Sequence, residues 1–342
     1  MGRASRYVPE VTKPLADGIA LWHFRSTPNW IADEFGLSRF KIVRSLDQAR
    51  ESGLVRIEIG LPAELDAELS DRLRAAYGLH HALVVTTSDE PEAGLRAHLG
   101  EVAAGLLSEV VVAGDVLGIG WGRSLTATTS ALMTLARCTV VQLTGAVGSV
   151  GVTEDSVETV RAVAAICGGP AYPIYAPLIL DTPETATAIR RQAHVAEAMR
   201  RFDMLTKALV TIGSWDPPNS QLRNAMSAAD REALESLHVR AEICATLIDD
   251  SGSPVAPDLA DRSIAISASQ LRRVPEVIAV AGGRNKIAAI EAVLKAGFVT
   301  SLVTDVAAAR ALLQSAGTGP DGTPSATAGP RVNRSHAWDR AS

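Results

Sequence analysis

The chain has 342 residues and 47% apolar side chains, enough for two domains and a sizeable buried core. Aromatics make up only 4%, so that core is built from Ala, Val, Leu and Ile, a composition suited to helices packed on a parallel sheet. A net charge of −5 excludes a protein coated in basic surface.

Residues 1–14 read as a loose arm, and residues 15–60 as a small helical domain. The first 60 residues carry 9 Lys/Arg against 7 Asp/Glu, the remainder 24 against 31. A small basic domain on an acidic body fits a nucleic-acid binder whose larger part does something else. Within it, Thr27 can cap a helix whose first position is Pro28. Ile31, Ala32 and Phe35 then share a face, Gly36 ends the helix, and Ser38 caps the next one. In that second helix Ile42, Leu46 and Ala49 point inward. Phe40, Lys41, Arg44 and Gln48 face outward, with Arg39 at the N-terminal end. This is what a recognition helix in the major groove of double-stranded DNA requires: cations for phosphates and guanine edges, and an apolar group for a thymine methyl. The alternating stretch 55–59 completes a winged helix-turn-helix. Any helical hairpin with a glycine turn shares part of this pattern.

Gly60-Leu61-Pro62 marks a boundary, after which 61–315 alternates strand and helix signals. Apolar runs at 82–86, 116–120, 139–143, 208–212, 262–267, 276–281 and 298–303 predict strands. Amphipathic stretches at 92–108, 123–136, 285–296 and 305–315 predict helices. The alternation implies an α/β domain with a mostly parallel sheet. The tail, 316–342, is rich in Gly, Pro, Ser, Thr and Ala, and is expected to be disordered. Cys138, Cys167 and Cys244 are far apart and odd in number, so they read as buried reduced thiols. No Cys/His metal spacing occurs, and no cofactor motif. No apolar run approaches the roughly 18 residues of a membrane span, and the chain reads as cytoplasmic.

The most informative stretch of the larger domain is Gly118-Ile119-Gly120-Trp121-Gly122-Arg123-Ser124-Leu125, where a strand enters a glycine turn and then a helix. Free N–H groups at such a helix start form an anion site, to which Arg123 adds charge and Ser124 a hydroxyl. The stretch is not a GxxxxGK[ST] loop and lacks the third glycine of GxGxxG. No acidic residue follows at the spacing a dinucleotide requires, so a small phosphorylated molecule fits better. The alternative is a tight strand-to-helix turn with no guest. Trp121 either packs in the core or lines the pocket.

These segments resemble the SorC/DeoR-type bacterial sugar-responsive regulators. The resemblance is carried by residues 38–44 and 49–55, by Gly118 to Leu125, and by Val141-Gln142-Leu143-Thr144-Gly145, Ala176-Pro177-Leu178 and Gly213-Ser214. It continues in Ala279 to Lys286 and Leu302-Val303-Thr304-Asp305. It implies a winged helix-turn-helix joined to a sugar-phosphate-binding α/β domain that is related to sugar-phosphate isomerase and deaminase folds but has lost catalysis. By the resemblance, Gly122, Arg123 and Ser124 hold the effector's phosphate, with Gly120 and Trp121 in the same effector site and Ser124 standing where the family more often has Thr. Gly213 belongs to the same site, Lys286 and Glu242 reach the effector's polar groups, and Asp305 stands nearby. The implied partners are operator DNA, a phosphorylated sugar or polyol, and further copies of the chain in a homodimer or homotetramer. The competing reading is an isomerase- or deaminase-like enzyme with an accessory DNA-binding domain, for which Asp249 and Asp250 are the candidate bases. The plainer role for that pair is a solvated turn before Ser251-Gly252-Ser253-Pro254.

Overall fold

The computed structural model describes residues 65–86, 91–147 and 156–317, together with Ser38, Phe40, Lys41 and Arg44. The chain divides into two compact units, 1–62 and 63–342. In the first unit, the Lys41 N–H donates to the Ser38 carbonyl at 2.9 Å and to its Oγ at 3.3 Å, so Ser38 does cap a helix start. Phe40, Lys41 and Arg44 are helical and exposed, Phe40 to 83%. The arm at 1–14, Arg39, Gln48 and most of the expected winged helix-turn-helix lie outside the described residues, as does the tail from residue 318.

The second unit is built on a seven-stranded, wholly parallel sheet. Its strands are β1 (His81–Val85), β2 (Val116–Ile119), β3 (Thr139–Gln142), β4 (Ala171–Tyr172), β5 (Lys207–Val210), β10 (Glu276–Val280) and β11 (Ser301–Asp305), in the spatial order β1-β11-β10-β5-β2-β3-β4. Near-continuous Val/Ile/Leu/Ala runs make this possible, because both faces of a parallel sheet are covered. On one face α1 (Ala67–Tyr77), together with two helices from the end of the chain, α5 (Ile287–Lys295) and α6 (Val306–Gly317), buries Leu73, Ile290, Val293 and Leu312 against Val84, Val210, Ala279 and Leu302. On the other, α2 (Glu92–Val110), α3 (Arg123–Ala131) and α4 (Ser156–Cys167) bury Leu99, Leu107, Leu125 and Val160 against Leu117, Ile119, Leu209 and Val280. All three cysteines are buried free thiols.

Three expectations need correction. The run at 262–267 is not a strand of the sheet. Ser263 and Ala265 form only isolated bridges to Ile179 and Thr144, and Ile264 and Ile266 are buried in a connector whose alternation mimics a strand. The final strand begins at Ser301 rather than 298, because Phe298 and Val299 are core residues of the approach to it. The helix expected to reach 136 stops at Ala131, where Leu132 turns to extended backbone after a Thr/Ser-rich stretch of weak helix formers.

A four-stranded antiparallel sheet was not foreseen: β6 (Gly213–Ser214), β7 (Val239–Ile243), β8 (Thr246–Asp249) and β9 (Pro254–Val255). Its central hairpin turns through Cys244 and Ala245, both with positive φ (48° and 64°), in place of the Asn-Gly or Asp-Gly pair that normally announces such a turn.

Candidate functional site

The chain leaves β2 toward β3 on one side, and leaves β5 toward β10 on the other, while β2 and β5 are neighbours. Their carboxyl ends therefore flank the sheet's topological switch point, where open α/β sheets receive ligands. The Gly120 N–H donates to Leu209 O at 2.9 Å across this junction, and Thr211 Oγ1 donates to Trp121 O at 3.0 Å. Gly122 is essential to the turn: its φ is +129°, and a Cβ there would lie 2.9 Å from Thr211 Oγ1. The N–H groups of Leu125 and Thr126 both donate to Gly122 O, so those of Arg123 and Ser124 stand ahead of the helical ladder at the positive end of α3.

A cleft opens over this helix start. Trp121, Gly122, Arg123, Ser124, Gly213, Glu242 and Lys286 line it, all of them residues singled out from the sequence. Gly120 lies just below, holding the turn against Leu209. Trp121 is half-buried against the cluster that contains Leu178 and Leu222, and it also lines the cleft. Asp305 stands on the outward continuation of the cleft, beside Gly282, Gly283 and Lys286. Its Oδ2 accepts from Gly283 N at 2.5 Å, and its Oδ1 accepts from the first turn of α6, Ala307 N at 2.9 Å and Ala308 N at 3.1 Å. This carboxylate joins two loops and caps a helix.

Glu242 and Lys286 form the polar interior. Glu242 is buried; its Oε1 accepts from Ala245 N at 3.1 Å and its Oε2 from Ser220 Oγ at 3.3 Å. Burial pushes its carboxyl above the usual range, against the pull of those two donors and Lys286. A Cβ on Gly213 would meet Glu242 Oε2 at 2.5 Å, so glycine there makes room for the carboxylate. Lys286 Nζ donates to Ile212 O at 2.8 Å. Burial, and then the Arg123 guanidinium, push this amine down to about 8.

Several site residues were not legible in the sequence. Glu92 and Arg96 belong to a stretch read only as a packing helix, and their i, i+4 spacing is the one signal they offered. Thr211, read from the sequence only as part of the strand run 208–212, reaches the cleft just after β5, Asn219 and Ser220 reach it from a loop, and Gln221 from the start of the short helix that Ser220 caps. Asp249 and Asp250 do not line the cleft. Asp249 Oδ1 accepts from Ser251 N, Ser251 Oγ and Ser253 N in a self-contained turn, and Asp250 pairs with Arg240. Among the described residues no three His, Cys, Asp or Glu side chains gather as a metal site, and no helix is long and apolar enough to cross a membrane.

Residues 61–314 match the family model described as "Putative sugar-binding domain". The chain is 28% identical over 287 residues to the deoxyribonucleoside regulator of Bacillus subtilis, covering 83% of this chain and 91% of that one. It is 27% identical over 292 residues to the sorbitol operon regulator of Klebsiella pneumoniae, covering 83% and 92%. The crystal structure of the full-length sorbitol operon regulator SorC from Klebsiella pneumoniae has a similar fold, with a TM-score of 0.70 at 24% identity over 90% of this chain and 100% of that one.

Proposed function

The chain belongs to this sugar-binding domain family, and we propose that it is a DNA-binding transcriptional regulator of a carbohydrate or polyol operon, controlled by a small phosphorylated sugar or polyol. Effector control of transcription, rather than catalysis, agrees with relatives that are named as regulators. The phosphate goes beyond what those names say, and one observation carries it. Arg123, Ser124 and the leading N–H groups of α3 converge at the switch-point crevice, which is the chemistry of an anion site. Glu242, Ser220, Asn219 and Lys286 then supply donors and acceptors of the kind that sugar hydroxyls match.

Lys41 and Arg44, exposed on the helix that Ser38 caps, provide the DNA-facing charge, with Phe40 as an apolar contact and Arg39 and Gln48 completing the reading face. The working assembly is a homodimer or homotetramer in the cytoplasm, since two-fold operators are read by symmetric proteins. The effector acts by favouring one relative placement of the DNA-binding domains.

The test is a mobility-shift assay on the DNA upstream of the protein's own operon, with and without a panel of free and phosphorylated sugars and polyols. Specific binding at modest salt, altered by a phosphorylated compound and not by its free counterpart, is the expected result. Absence of DNA binding under all these conditions overturns the regulator reading. A response to the free compound alone overturns the phosphate.

A further inference from the structure

We propose that Glu92 is a built-in competitor for the effector's phosphate, and that its displacement hands Arg96 to the phosphate as a second guanidinium. The inference rests on the reading that a phosphate binds at the start of α3.

The observation is a convergence on one oxygen. Glu92 Oε1 accepts from Arg96 Nη1 at 2.6 Å and from Asn219 Nδ2 at 3.4 Å, and lies 3.9 Å from Arg123 Nη2. Arg123 Nη2 in turn donates to Asn219 Oδ1 at 2.6 Å. All four residues line the cleft. The Glu92–Arg96 pair spans one turn of a helix and would form on any exposed surface. Asn219 and Arg123 come from elsewhere in the chain, so helical spacing does not explain their presence. Two guanidinium groups and an amide gathered around a single carboxylate oxygen make a site for an anion, and the chain's own carboxylate fills it.

A phosphate cannot share that site at no cost. To meet Arg123 and the N–H groups of Arg123 and Ser124, it must come close to Glu92, and the two negative charges repel. Glu92 is able to yield, because its side chain is 53% exposed at the first residue of α2 and holds no core position. Arg96 is not, since its side chain is only 24% exposed. When Glu92 swings into solvent, Arg96 stays and its charge becomes available. Glu92 thereby lowers affinity for every anion at this site, so a guest needs the rest of the effector's contacts to offset the cost of displacing it.

The experiment is isothermal titration of the full chain with inorganic phosphate, comparing the wild type with Glu92→Gln, Glu92→Asp, Glu92→Gln/Arg96→Gln and Arg123→Gln, each first shown to melt cooperatively. Glu92→Gln is expected to bind phosphate about five- to twentyfold more tightly than the wild type. Glu92→Asp, which keeps the charge, is expected to stay near wild type, the double variant to lose most of the gain, and Arg123→Gln to bind none. If Glu92→Gln binds no better than wild type, or Glu92→Asp gains as much as Glu92→Gln, the competitor role is overturned. The phosphate reading survives that result so long as Arg123→Gln abolishes binding. If Arg123→Gln binds like the wild type, or if neither the wild type nor Glu92→Gln binds phosphate, the underlying reading fails as well.

Discussion

Lys286 Nζ donates to the carbonyl oxygen of Ile212, 74 residues earlier in the chain, at 2.8 Å. The bond ties the loop after β10 to the exit of β5 across the crevice. It uses one of the ammonium's three donors and leaves two for a guest in the cleft that Lys286 lines.

The position of this amine gives the site a pH dependence. Burial and the Arg123 guanidinium lower it from 10.5 to about 8, against the opposing pull of Glu242 and Glu92. A phosphate bound beside it, as proposed, would favour the charged form, so effector binding is expected to take up protons near and above pH 8, and affinity to fall as pH rises through that value. Stability runs the other way. The folded value lies below the unfolded one, so the cost of burying the charge is present in full below about pH 8 and is relieved as pH rises toward 10.5. Lys286→Met is expected to raise Tm at pH 7, and to do so less at pH 9.5. It is also expected to weaken phosphorylated-effector binding by about tenfold or more at pH 7 and to remove the decline above pH 8. Titration calorimetry across pH 7–9.5 measures this, and a variant that keeps the wild-type pH profile refutes it.

Gly122, in the turn before α3, and Gly105, on α2, are expected to respond oppositely to alanine. At Gly122 the φ of +129° and the 2.9 Å approach of a Cβ to Thr211 Oγ1 oppose substitution. Gly122→Ala is expected to cost about 1–3 kcal/mol and to abolish effector-induced stabilisation, because Thr211 no longer fits beneath Trp121 O. At Gly105, exposed within α2, a Cβ meets nothing within 4 Å. Gly105→Ala is expected to stabilise by about 0.5–1 kcal/mol and to leave effector binding unchanged. Thermal melts with and without phosphorylated sugars check both variants.

The parallel sheet was readable because fully buried strands are continuous apolar runs, and Leu117, Ile119, Leu209 and Val280 declare themselves without partners. The loop at Gly120 to Ser124 was readable for a similar reason, since strand, turn and helix start are contiguous. The antiparallel sheet was hidden. Two of its strands have only two residues each, and its hairpin turn uses Cys244 and Ala245 in a backbone conformation that sequence assigns to Asn and Gly. Ile264 and Ile266 misled in the opposite sense, since burial of a connector gives the same alternation as a strand. Asn219 and Thr211 acquire meaning only through partners about 90 residues away, Arg123 and Trp121, and no local window carries that.

Lys41 and Arg44 are expected to act through DNA phosphates or guanine edges, which salt dependence distinguishes. For every phosphate that a variant no longer touches, the slope of log affinity against log salt should fall by about 0.9. Lys41→Ala and Arg44→Ala are expected to weaken operator binding. A role at a phosphate shows as a shallower slope on every sequence. A role at a base edge shows as a loss of about 1–3 kcal/mol confined to the specific site. Fluorescence anisotropy on operator and scrambled duplexes at several salt concentrations separates the two, and a variant unchanged in both removes that residue from the interface.

At the other end of the sheet, Asp115, Lys207 and Glu276 gather at the starts of β2, β5 and β10. Lys207 Nζ lies 3.2 Å from Asp115 Oδ2 and 3.9 Å from Glu276 Oε2. Asp115 also accepts from Val112 N and Thr206 Oγ1, each at 2.8 Å. Burial pushes the Asp115 carboxyl up, but Val112 N–H, the Thr206 hydroxyl and Lys207 together hold it below the usual carboxylate range. A depressed carboxylate stabilises the fold above its unfolded value of 3.8, and that contribution is lost as pH falls through the folded value. Asp115→Ala leaves Lys207 buried beside Glu276 alone and should cost about 3–5 kcal/mol at pH 7. Asp115→Asn should cost less and flatten the fall of Tm as pH drops below about 3.8. Because the proposed effector cleft lies at the carboxyl ends of these strands, both variants are expected to bind a phosphorylated effector with wild-type affinity at temperatures where they remain folded. A matching loss of effector affinity would show that the two ends of the sheet are coupled, contrary to this separation of stability from recognition.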